Sequence, residues 1–223
     1  MSSSGHQPPR DAPIPPSAAP EHDWAAAMDH VFPSLRPKDT HGAPLDDLDE
    51  SRLQHEGMKK HALPLIDLGP ADLSIVYVLR EPAYDVVVNA EHLLTWAIEA
   101  QTLRDAAMAN LRAWSAAAPW TEELDGPRRL LSSDTGDGGD AARILLPEVR
   151  KHLAGECGGP SRVLIGLPDR DFLIAGSLHA SDQAFADQFG AFVSEVMDGA
   201  REPIEGGLFE LAGEDFELVR YGR

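Results

Sequence analysis

Cysteine is almost absent from this chain. Cys157 stands alone among 223 residues, so no intramolecular disulfide can form. Its neighbours Gly155, Glu156, Gly158 and Gly159 supply neither a base nor a cation, which leaves the thiol without the surroundings of a reactive thiolate. Basic residues are scarce too: 19 Lys+Arg stand against 37 Asp+Glu, a formal charge of -18. Such a field repels phosphate backbones and anionic lipid, which excludes nucleic acid and membrane surfaces as expected partners. No apolar run reaches bilayer-spanning length, and the first residues have neither the basic cluster nor the apolar stretch of a signal peptide. The expected setting is the bacterial cytoplasm.

Familiar catalytic signatures are missing as well. There is no G-x-S-x-G elbow around Ser177, no Walker loop, no dinucleotide fingerprint and no paired C-x-x-C. His55 and His61 are six apart, which does not stack them on a helix, and Glu56 is not part of an H-E-x-x-H pattern. His92, His152 and His179 are isolated and read as surface or helix-face residues.

What is present reads as an arm, a short flap and one domain. Residues 1–22 are rich in Pro, Ser and Ala and bury too little to offset their ordering entropy, so they read as a disordered arm. Residues 23–62 read as a helical flap. Asp23 caps a helix through Trp24, Met28 and Val31 that Pro33 closes, and a second helical segment spans Asp46–His61. Residues 63–223 form the body, long enough for one core.

In that body three hairpins alternate with helices. Leu73–Leu79 pairs with Tyr84–Val88, Arg162–Leu167 with Phe172–Gly176, and Leu208–Leu211 with Phe216–Val219. Arg128–Ser132 is a further strand. Helices begin at Asn89 or Ala90 and resume past a bend near Ala100, where Thr102 and Asp105 are spaced like a capping box. Asp140 is placed to cap another helix that Pro147 kinks or restarts. Ser181 caps the last, with Phe185, Phe189, Phe192, Val193 and Val196 inward. The fold class is α+β: a mixed, mostly antiparallel sheet built from hairpins with helices packed against it.

Two loops concentrate polar side chains. In the first, glycines at 136, 138 and 139 free the backbone beside Asp134, Asp137 and Asp140, with Arg143 on the following helix. The three carboxylates form a weak candidate metal set for Mg²⁺ or Ca²⁺, because hard cations want clustered oxygens. Their spacing of three does not fit an EF-hand loop, and the simpler account has Asp140 capping a helix, Asp137 making a turn hydrogen bond and Asp134 solvated. In the second loop, Arg170 lies between Asp169 and Asp171. Its guanidinium can grip an anion together with Arg143, or fasten hairpin to helix by pairing with Asp140 or Asp137. The candidate ligand set is therefore Asp137, Asp140, Arg143, Arg170 and Asp171.

Three stretches carry a family resemblance: the helix Leu103–Leu111 ending Ala-Asn-Leu, the segment Gly136–Glu148, and Gly166–Asp171. In this order they resemble the YtpQ-like family of uncharacterised bacterial proteins, over about residues 72–219. The resemblance implies a cytoplasmic α+β domain with no established activity, cofactor or active site. The chain departs from the family's pattern at Gly139, where an aromatic is usual, and at Ala142, where Ser is common.

Two functions compete. The first is a non-catalytic interaction or regulatory module with a protein partner. The second is a small-molecule binder or hydrolase-like enzyme, with carboxylates holding Mg²⁺ or acting as base and arginines holding an anionic substrate. Exposed hairpin edges add a third expectation, a homodimer.

Overall fold

The computed structural model describes residues 19–47, 62–81, 84–125, 128–158, 162–179, 182–212 and 215–219. Residues 1–18 of the expected arm and most of Asp46–His61 lie outside them; the arm's last residues are ordered, Pro20–His22 forming a 3₁₀ turn whose Pro20 carbonyl accepts from Trp96 Nε1 at 2.9 Å. Asp23 caps a single helical turn, α1 (Trp24–Ala27), by accepting from the Ala25 amide. The expected continuation of that helix through Val31 is instead strand β1 (Val31–Arg36), paired antiparallel with β4 (Ser74–Arg80). The Asn110 side-chain amide donates to the carbonyls of Met28 and Val31 at 2.8 Å each, holding the end of α1 and the start of β1 together. Pro33 is tolerated because β1 is an edge strand.

The remaining strands of this sheet are β2 (Ala43–Pro44), β3 (Leu65–Leu68), β4 (Ser74–Arg80) and β5 (Asp85–Val87). Their order is β1-β4-β3-β2, with β5 on β4; β2–β3 is a parallel pair and the others are antiparallel. Helix α2 (Ala90–Trp96) starts with a capping box between Asn89 and His92. It ends where Ala97 turns left-handed, at φ 54°. Helix α3 (Ala100–Ala117) therefore begins before Thr102, which lies inside it, and Asp105 accepts from Gln101 instead of capping. The four-residue spacing of Leu103, Ala107, Leu111 and Ser115 gives α3 one buried stripe. With Trp96 and Leu93 of α2, the first half of that stripe packs on Tyr77 and Leu79.

The second sheet contains β6 (Thr121–Asp125), β7 (Arg128–Ser133), β8 (Arg162–Asp169), β9 (Phe172–Leu178), β10 (Pro203–Ala212) and β11 (Asp215–Val219). All of it is antiparallel, in the order β11-β10-β8-β9-β7-β6. A 3₁₀ turn (Ala141–Leu145) leads into α4 (Pro147–Leu153), which Pro147 restarts at its first position, followed by a π turn over Ala154–Gly158. Helix α5 (Gln183–Asp198) is capped by Asp182, the expected cap Ser181 lying outside the described residues.

The central strands β8 and β9 are nearly continuous apolar runs because both faces are covered. On one face Ile165, Leu173 and Phe209 meet Ile144, Leu146 and Leu153. On the other, Leu164, Ile174 and Leu208 meet Phe185, Phe189 and Val193 of α5. The helix approaches so closely that a Cβ on Gly166 would lie 2.4 Å from Val193, which excludes any larger residue there. Phe192, expected inward, is instead 43% exposed, one helical step outside the buried stripe. Helices and two mostly antiparallel sheets make the fold α+β. No helix among the described residues is long and apolar enough to cross a membrane.

Candidate functional site

The turn after β7 uses left-handed backbone at Gly136 and Gly138 to reverse into the 3₁₀ segment. Asp140, fully buried, does not cap that segment; no amide of Ala141–Leu145 bonds to its side chain. Its carboxylate reaches back to β7 and accepts from Ser133 Oγ, from the Thr135 amide at 3.1 Å and from Thr135 Oγ1 at 2.8 Å. Ser133 Oγ in turn accepts from Arg143 Nη1 at 2.7 Å, so one hydroxyl couples the buried acid to the buried base.

Arg143 is 1% exposed and uses every donor it has. Nε donates to Ser115 Oγ, Nη2 to the carbonyls of Ser115 and Ala118, and Nη1 to the Pro119 carbonyl as well as to Ser133. The guanidinium closes the C-terminal end of α3, where carbonyls lack helical partners and a positive charge is favoured. Trp120 lies against its face, 3.9 Å from the ring centroid. Burial lowers its pKa to about 10, and the Asp140 charge works against that shift.

The other turn residues face elsewhere. Asp137 is exposed and accepts from Trp114 Nε1 at 3.2 Å. Asp134 is exposed and has no partner among the described residues. Asp134, Asp137 and Asp140 are not brought together, and no group of three or more His, Cys, Asp or Glu side chains among the described residues is placed to hold a metal.

The two polar loops do meet. The Ala141 amide donates to the Arg170 carbonyl at 3.1 Å, and Asp171 accepts from the Gly138 amide. The fastening partners of Arg170 are not Asp140 or Asp137: it pairs with Asp85 at 2.9 Å and Glu202 at 3.1 Å, and only loosely with Asp171, at 3.6 Å. With Arg143 enclosed in its own network, the two arginines form no common anion pocket. The residue missed from the sequence is Arg80, the last residue of β4. It stacks on Phe32 at 4.0 Å, and its Nε and Nη2 are buried without acceptors. Burial lowers its pKa, and the Arg170 charge adds to the shift. The only available signal was a lone charge ending an apolar strand.

Beside this junction lies an open hollow of about 440 Å³ between the β8–β9 tip and the end of α5. Its apolar wall is Phe172 edge-to-face with Phe192, at 6.3 Å, together with Val196. Asp134, Asp169 and Asp171 line the rest, with Arg201. Asp169 is fully engaged: one oxygen accepts from the Asp171 amide, the other from the amides of Arg201 and Glu202, which pins the hairpin tip to the chain leaving α5. Asp171 differs, because its buried Oδ1 makes no hydrogen bond, only the loose pair with Arg170 Nε at 3.6 Å, and desolvation raises its pKa. No protein-family model, curated protein or solved structure matches this chain.

Proposed function

We propose that this protein is a non-catalytic interaction module that offers the hollow between the β8–β9 tip and α5 to a protein partner. One observation carries the reading: Asp140 and Arg143 are enclosed inside the fold, whereas the hollow presents the unpartnered Asp134, the Asp171 carboxylate that Arg170 holds only loosely at 3.6 Å, and the exposed Phe192. A hydrolytic site built on the candidate set would lack those two residues, since every Arg143 donor is engaged and Asp140 is fully buried with both oxygens bonded. Exposed aromatics rimmed by polar groups are what a recognition surface uses. The resemblance to the YtpQ-like family and the acidic composition support the bacterial cytoplasm as the setting.

The test is crosslinking in cells from a Phe192→p-benzoylphenylalanine variant, with Glu123→p-benzoylphenylalanine on β6 as control. A defined protein adduct at position 192 and not at 123 supports the reading. Equal or absent crosslinking at the two positions refutes it.

A further inference from the structure

Resting on that reading, we infer that the hollow receives a basic side chain of the partner, a lysine or arginine whose aliphatic stem lies on Phe172, Phe192 and Val196 and whose charge meets Asp134 and Asp171. The cavity and the aromatic pair come first. An edge-to-face pair with one ring 43% exposed leaves apolar surface that an aliphatic chain can cover.

Charge then selects the end group. Asp134 has no partner among the described residues, so an N–H donor entering here meets an unengaged carboxylate, and the Asp171 charge beside it is held only loosely by Arg170, at 3.6 Å. Asp169 adds negative charge, although its oxygens are already occupied by three backbone amides. A chain of net charge -18 also steers cations towards it. Arg201 is the one opposing charge in the lining; its guanidinium has no partner among the described residues, and it marks the side from which the basic group is turned away.

The measurement is an NMR titration of the full chain with N-acetyl-lysine methylamide, with N-acetyl-norleucine methylamide as the uncharged counterpart of similar shape. Expected are millimolar binding of the lysine probe, shifts gathered at Phe172, Phe192, Val196, Gly199 and Ala200, and weaker binding of norleucine. Asp134→Asn, at an exposed position that does not threaten folding, weakens the lysine probe by about three- to fivefold, and Arg201→Ala strengthens it by a similar factor. Phe192→Ala weakens both probes. Equal binding of the two probes, or an Arg201→Ala variant that binds no tighter, overturns the basic-side-chain inference. If the crosslink at position 192 persists in that case, the interaction module stands and only its ligand class falls. If both fail, the hollow is not a docking face.

Discussion

The two sides of the turn from Ser133 to Gly139 are made of the same residue types and behave oppositely. On the inner side, Asp140, Ser133 and Arg143 are enclosed and complete; all five guanidinium N–H groups have acceptors and both Asp140 oxygens have donors. On the outer side, buried polar atoms of Arg80, Arg170 and Asp171 make no hydrogen bonds, and Arg170 Nε and Asp171 Oδ1 pair only loosely, at 3.6 Å. An acid and a base close in sequence therefore say little by themselves. Completeness of hydrogen bonding separates a fastener from a surface that still has something to bind, because an unmatched buried donor or acceptor carries a standing penalty that a ligand can relieve.

The contrast is sharpest at Arg143. Arg143→Met leaves Asp140 as an uncompensated buried charge and strips the end of α3, and should cost about 3–5 kcal/mol in urea denaturation. A loss below about 1 kcal/mol would abolish the distinction between the two sides. Next is Asp169→Ala, which removes one carboxylate that three amides share and should cost about 2 kcal/mol by the same measurement. Gly138→Ala comes third, at about 1–2 kcal/mol, since alanine at φ 74° is strained and its Cβ would meet the Arg170 guanidinium at 2.9 Å.

The smallest effect is in pH dependence. Burial raises the Asp171 pKa above its ordinary 3.8, so the folded chain holds this proton more tightly than the unfolded chain. Between 3.8 and the folded value, stability from this group falls as pH rises. Asp171→Asn should flatten that slope in thermal unfolding across the acid range, whereas an unchanged slope would remove Asp171 from the incomplete side.

The fold was largely legible because its hairpins are strongly apolar and sharply bounded: β8 with β9 and β10 with β11 stand where their β-branched and aromatic runs stand. Four strands were not, β1, β2, β3 and β6. Thr121–Asp125 carries no apolar run to announce a strand because β6 is an exposed edge, and Val31–Arg36 reads as a helix end because its partner lies far along the chain. At the site, Asp140 and Arg143 were visible but their inward direction was not, since it depends on Ser115 and Ser133 arriving from other elements. The hollow was out of reach for the same reason. Its walls come from residues 134, 169–172 and 192–201, and no local pattern announces their meeting.

Strand β1 bears on synthesis. Arg36 must wait 38 residues for its register partner Ser74, and Val31 waits 48 for Leu79. At translation rates of about 5–20 residues per second, this segment leads its partner by roughly two to ten seconds. Through that interval its edge is open to neighbouring nascent chains, and Pro33, which cannot donate to a ladder, sits in the middle of it. The residue that disguised the strand thus protects it until β4 emerges.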